Sequence, residues 1–166
     1  MPCTERTRAV SADEVKALLR SAGLRVTAAR VHVLEALLCV GRPLAHAEVV
    51  EEVRKQADGG AQPLDRVTVY RTLTALARTR LVHKVLGMDG VLRFGAHLGE
   101  KGIGEKGRCG GNHIHFVCVR CGAMTCLQEQ PLPWVEPPKG GEIYGKQLLV
   151  YGRCAACASL EGQKRG

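Results

Sequence analysis

Aromatic residues are scarce. Phe, Tyr and Trp make up 4% of the 166 residues, against 45% hydrophobic residues in all, so the core must be aliphatic. No apolar run approaches the roughly 20 residues of a membrane-spanning helix, so no membrane association is expected. The first residues include Glu5 and no long apolar stretch behind their basic residues, so no secretory signal is expected either. Signatures of catalysis are missing too. No Asp or Glu stands in a metalloprotease-type pairing with a histidine, and no nucleophile motif occurs, so an enzyme is not expected. The compartment these absences imply is the cytoplasm. Disulfides are rare there, and paired cysteines read as metal ligands or redox groups. Acidic charge is also short: 24 Lys+Arg face 16 Asp+Glu, for a net charge of +8 and a pI near 9.3. That balance suits a polyanionic partner, and equally suits a solvated basic surface.

Cysteine is abundant and patterned. Four of the eight form two short pairs, Cys118-Val119-Arg120-Cys121 and Cys154-Ala155-Ala156-Cys157. Two such knuckles supply the four thiolates of a closed tetrahedral zinc site. The same thiols could form a redox dithiol, although no thioredoxin-like context surrounds them. Immediately before the first knuckle stands His113-Ile114-His115. Alternation along a strand puts both imidazoles on one side. His32 and His46 lie on expected helices without ligand spacing and read as structural; Cys39, on an apolar helix, reads as core.

The N-terminal half is patterned for helices. Ser11-Ala12-Asp13-Glu14 forms a capping box, followed by Val15, Leu18, Leu19 and Ala22 at helical spacing, and Gly23 ends the helix. Thr27 caps a second helix striped by Val31, Leu34, Leu37 and Leu38. A third spans about residues 45–56, and Asp65 caps a fourth through about Arg80. The period then changes. Residues 82–86 and 91–94, separated by Gly87-Met88-Asp89-Gly90, read as a hairpin. Four helices and a hairpin outline a winged helix, whose fourth helix would enter the DNA major groove. On that helix Arg66, Thr68, Tyr70 and Arg71 lie near the N-terminus, where cations and hydroxyls suit phosphate contact and base readout. Residues 1–84 carry 14 Lys+Arg against 9 Asp+Glu, and residues 85–166 carry 10 against 7, so both halves are basic. A Gly-rich connector runs from Leu98 to Asn112. Strand-like runs follow at 113–119, 124–127 and 147–151, with Pro131, Pro133, Pro137 and Pro138 discouraging a long helix between the last two.

Four stretches resemble the ferric uptake regulator superfamily, and most closely its zinc uptake regulator branch: Gly23-Leu24-Arg25-Val26-Thr27-Ala28-Ala29-Arg30, Thr68-Val69-Tyr70-Arg71-Thr72-Leu73, His113 through Gly122, and Cys154 through Cys157. They fall in the family's order across residues 23–157. The resemblance implies an α+β chain. A winged-helix DNA-binding domain would occupy residues 1–86, a hinge and connector 87–112, and a small α/β zinc-containing dimerisation domain 113–166. It implies a homodimer on a palindromic double-stranded operator, with Tyr70 and Arg71 near base edges and Arg66 and Thr68 on the backbone. It also implies a structural Zn²⁺ on Cys118, Cys121, Cys154 and Cys157, and a regulatory metal near His83, His97, His113 and His115. Where the family often carries a Glu ligand after the first knuckle, this chain has Cys126. A soft sulfur in place of a hard oxygen points to Zn²⁺ rather than Fe²⁺ or Mn²⁺, with Ni²⁺ left open. Cys109 and Cys126 could join that site, or form a peroxide-sensitive or simply buried pair. The family's histidine run is thinned to two, the connector is long, and the prolines disfavour the helix expected between the knuckles. The function implied is a zinc-responsive repressor of zinc-uptake genes. Iron-, manganese-, nickel- or peroxide-responsive regulation is the alternative, and a zinc-thiolate redox switch a more distant one.

Overall fold

The structure, a computed structural model, describes residues 10–56, 64–96, 113–143 and 146–162. They belong to two compact units that divide between Gly111 and Asn112.

In the first unit, local signals start and stop each helix. Helix α1 (Ala12–Ser21) opens on the expected capping box: the Glu14 amide donates to Ser11 Oγ at 3.2 Å, and the Ser11 amide to Glu14 Oε2 at 2.9 Å. Helix α2 (Ala28–Val40) has Thr27 as N-cap and ends at Gly41. That residue has φ of 65°, a left-handed conformation open to glycine at little cost. Helix α2 is apolar on most of its circumference because it packs against three neighbours: α1, α3 (His46–Gln56) and α4 (Arg66–Arg78). Cys39, near its end, is only partly buried; the expected core position falls to Leu37 and Leu38 instead.

The hairpin is β2 (His83–Leu86) and β3 (Leu92–Gly95), so the wing continues to Gly95, past residue 86. A two-residue strand, β1 (Leu44–Ala45), pairs antiparallel with the other edge of β3, giving the order β1-β3-β2. The Leu44↔Phe94 pair of that ladder is buried in a core of Val15, Leu19, Leu34, Leu37, Val49, Val53, Val69, Leu73 and Leu76. Each such side chain contributes about 1.5–3 kcal/mol on burial. As the composition dictated, Phe94 is the one aromatic residue among the members of this cluster.

The second unit is a three-stranded sheet in the order β5-β4-β6. Strand β4 (His113–Cys118) runs antiparallel to β5 (Met124–Pro131) and parallel to β6 (Leu148–Gly152). Parallel neighbours need a crossover, commonly a helix. Here the described residues between β5 and β6 contain no helix, in keeping with Pro133, Pro137 and Pro138. A short helix, α5 (Ala155–Gly162), follows β6. No helix among the described residues is long and apolar enough to cross a membrane.

Candidate metal centre and nucleic-acid face

The parallel ladder brings the two cysteine knuckles together. Cys118, the last residue of β4, stands opposite Gly152, and the Val119 amide extends the ladder to the Gly152 carbonyl at 2.8 Å. Beyond β4 the chain reverses through Gly122 (φ 70°), whose amide donates to the Cys118 carbonyl at 2.9 Å. This turn returns Cys121 towards the site. Across from it, Cys154 precedes α5 and Cys157 lies in its first turn, with the Cys157 amide donating to the Cys154 carbonyl at 3.0 Å. The ligand atoms of Cys118, Cys121, Cys154 and Cys157 all lie within 4.8 Å of one another. Cys121 Sγ and Cys154 Sγ are 3.8 Å apart. A tetrahedron with Zn–S bonds of about 2.3 Å has edges of about 3.8 Å, so this donor set fits zinc.

The thiols are electrostatically unequal. The Cys154 amide donates to Cys118 Sγ at 3.3 Å; with the Cys121 amide it lowers the Cys118 pKa to about 6. Backbone amide donation from Cys157 lowers Cys154 as well. Cys157 is pushed up to about 12, first by burial and then by its sulfur neighbours. Amide donors that favour a thiolate also favour a metal-bound one.

A second feature of this unit lies across β4 and β5, where His115 and Cys126 are direct cross-strand partners. Directly opposed residues of antiparallel strands share a face, with Cβ atoms about 4.5–5.5 Å apart. His115 is buried and Cys126 partly so. The register against β5 shifts between His113, which pairs with Pro131, and Ile114, which pairs with Leu127. The side chain of His113 lies outside the described residues, as do His97 and Cys109 in their entirety. In the first unit, His83 opens β2, is buried, and faces Gly95 across the hairpin.

The fourth helix presents three of its four expected residues to solvent: Arg66, Tyr70 and Arg71. Thr68 is partly buried and helps cap the helix. Its amide donates to Asp65 Oδ1 at 2.9 Å and its hydroxyl to Asp65 Oδ2 at 2.5 Å; both bonds hold the Asp65 carboxyl below its usual pKa. His46 does more than fill space. Its Nε2 lies 3.0 Å from the Arg66 carbonyl, and its ring meets Tyr70 edge-on at 6.0 Å, bracing the start of α4. An open cavity of about 220 Å³ between α2 and α4 is lined by Thr27, Arg30, Thr68, Arg71, Thr72 and Ala75. Two guanidinium groups and three hydroxyls suit a phosphate group. Thr27 and Arg30 were missed as candidates because the cavity forms only once two helices are packed; their spacing alone indicates a cap.

Four helices and a wing, joined in one chain to a thiolate-bearing sheet unit, are the parts of a DNA-binding regulator. The model of the Ferric uptake regulator family matches residues 21–137. Transcriptional regulator FurA of Mycobacterium tuberculosis is 31% identical over 145 residues, covering 84% of this chain and 87% of that one. The Ferric uptake regulation protein of Bacillus subtilis is 30% identical over 153 residues, covering 90% and 95%. Among solved structures, a zinc uptake regulator complexed with zinc and DNA aligns with a TM-score of 0.60 at 19% identity, covering 91% of this chain and 95% of that one. The ferric uptake regulator of Pseudomonas aeruginosa with manganese aligns with a TM-score of 0.52 at 24% identity, covering 85% and 98%. This chain belongs to the ferric uptake regulator family. It is a metal-responsive, DNA-binding transcriptional regulator.

Substituting Arg71 probes the proposed DNA face. Arg71→Ala is expected to weaken operator binding by about 1–3 kcal/mol, roughly 5- to 150-fold, by fluorescence anisotropy. The exposed position predicts an unchanged melting temperature.

Proposed function

We propose that this regulator is a zinc-responsive repressor. It would act as a homodimer on a palindromic operator in the cytoplasm and control zinc-uptake genes. The single observation that supports zinc is the pairing of Cys126 with His115 across β4 and β5. A thiolate beside an imidazole is a soft-to-borderline donor set that suits Zn²⁺ and disfavours Mn²⁺, which prefers oxygen.

Two metals have separate tasks in this reading. Cys118, Cys121, Cys154 and Cys157 hold a structural Zn²⁺ that stabilises the second unit. His83, His115 and Cys126, with His97 and His113, supply the ligands of a regulatory Zn²⁺. The ion acts by population shift: it binds more tightly to the arrangement in which both recognition helices match the operator half-sites, and so raises DNA affinity. Arg66, Tyr70 and Arg71 contact DNA, with Thr68 holding the helix start and offering its remaining polarity to the backbone. The edge strand β6 supports dimerisation. It leaves Leu148, Val150 and Tyr151 exposed at an edge to which no other described strand pairs, an edge that a second copy would cover.

The test is operator binding under buffered Zn²⁺, Fe²⁺, Mn²⁺ and Ni²⁺ in turn, on a duplex selected from a random pool by the protein itself. Zinc should activate at the lowest free concentration. Activation by iron alone would sink the zinc assignment, and binding independent of every metal would sink the sensor mechanism.

A further inference from the structure

We infer that Gly95 is a positioning residue for the regulatory metal, which it serves by leaving the space that the His83 imidazole occupies. This inference rests on the reading of His83 as a regulatory ligand. The two residues are cross-strand partners in the β2–β3 hairpin, so a side chain at position 95 would share the face of His83. A Cβ built on Gly95 would lie 2.5 Å from His83 Cε1, 2.7 Å from Nε2 and 3.3 Å from Nδ1. One edge of the ring thus lies across the backbone of β3, in volume that any other residue would fill. Glycine within a strand commonly marks such a close approach.

Backbone conformation does not explain the glycine. Gly95 is absent from the residues with positive φ, so its dihedral is open to any amino acid. Space is the reason. The backbone of β3 has little room to give, because β3 is the central strand of its sheet. Phe94 pairs with Leu44 on one side and Lys84 on the other. The ring is the group that must yield: His83 is buried, as is Val85 on the same face of β2, so it gives way by turning rather than by moving out to solvent. A methyl group at 95 would therefore turn the imidazole about its side-chain bonds and redirect its nitrogens. Metal ligation tolerates only about 0.5 Å and 10–20° of such displacement.

The position also selects the kind of donor. Glycine offers no oxygen at this point on β3, so the only side-chain donor this strand pair presents there is a nitrogen. The pair favours an ion that accepts imidazole over one that prefers carboxylates.

The experiment measures zinc bound beyond one equivalent per chain, by competition with a chromophoric chelator, in the full-length protein. Gly95→Ala should weaken this second equivalent about 10- to 100-fold. The first equivalent and the thermal midpoint of the first unit should hold. On a His83→Ala background the same change should cost nothing further, because the ring it displaces is gone. If Gly95→Ala destabilises the hairpin, adding His83→Ala should restore folding, since the clash is removed. A second equivalent unaffected by Gly95→Ala would overturn the inference while leaving the ligand reading intact. So would a loss that adds to that of His83→Ala, or a folding defect that His83→Ala fails to relieve. A second equivalent that survives His83→Ala alone would instead overturn the ligand reading.

Discussion

Cys118→Ser is expected to remove one zinc per chain, unfold the second unit and leave the protein unable to dimerise, while helices α1–α4 persist. The size of the effect follows from how little else holds that unit. Among the described residues, its buried apolar side chains are Cys118, Met124, Leu132 and Cys157. Two of the four are zinc-site thiols, and the large aliphatic core belongs wholly to the first unit. Structural zinc sites contribute apparent binding energies of about 10–16 kcal/mol, whereas whole domains are stable by about 5–15 kcal/mol. Removing the ion therefore exceeds what a sheet with so small a core can bear. Serine is nearly isosteric, so the loss reports on the thiolate rather than on packing. Elemental analysis, circular dichroism and sedimentation read the three consequences. The helical signal should fall only slightly, because the four long helices lie in the other unit. A zinc-free variant that stays a folded dimer would show that the thiols are not structural ligands.

His115→Ala has the opposite signature: a folded dimer with its first zinc, and no response to the second. Position 115 lies three residues before Cys118 on the same strand, so one element carries both the proposed regulatory ligand and a knuckle cysteine. Cutting away the imidazole leaves the β4–β5 and β4–β6 ladders intact, since they are made by the backbone. The expected loss is the coupling energy between metal and DNA, about 1–3 kcal/mol, or roughly 5- to 150-fold in operator affinity at saturating zinc. Zinc stoichiometry should fall from two per chain to one. If His115→Ala and Cys118→Ser behave alike in sedimentation, the division into structural and regulatory metals fails.

Much of this architecture is legible because the signals are short-range. Ser11 and Glu14 announce a helix start from three residues apart, and Asp65 does so at α4. Gly87 and Gly90 mark the wing turn, where the Gly90 amide donates to the Gly87 carbonyl at 3.0 Å. The knuckle spacing is equally local. Features set by distant pairing are not legible in this way. Strand β1 has two residues, too few for any period, and exists because β3 offers it an edge. Helix α5 has no capping residue that stands out before Ala155; its start is shaped by the Cys154–Cys157 turn. That Cys126 faces His115 depends on the length of the Cys118–Met124 reversal, which fixes the register. Residue types alone suggest only that the two could share a metal. His46 illustrates the opposite case. A lone histidine on a helix carries no signal, and its role at the start of α4 is visible only in three dimensions.

The parallel pairing of β4 with β6 has a topological consequence. The contact between Cys121 and Cys154 spans 33 positions in the chain, so a zinc ion bound there would close a long loop as a disulfide does. Closing such a loop removes conformational freedom from the unfolded chain, and the effect grows only slowly with loop length. The proline-rich segment within the loop is thus free to lengthen, shorten or change composition at modest cost. Trp134, an exposed large hydrophobic residue of that segment, lies on the part of the unit where sequence can vary without undoing the clasp. Unlike a disulfide, a clasp of four thiolates forms without an oxidant and opens to a chelator, so it can be set and released in a reducing compartment.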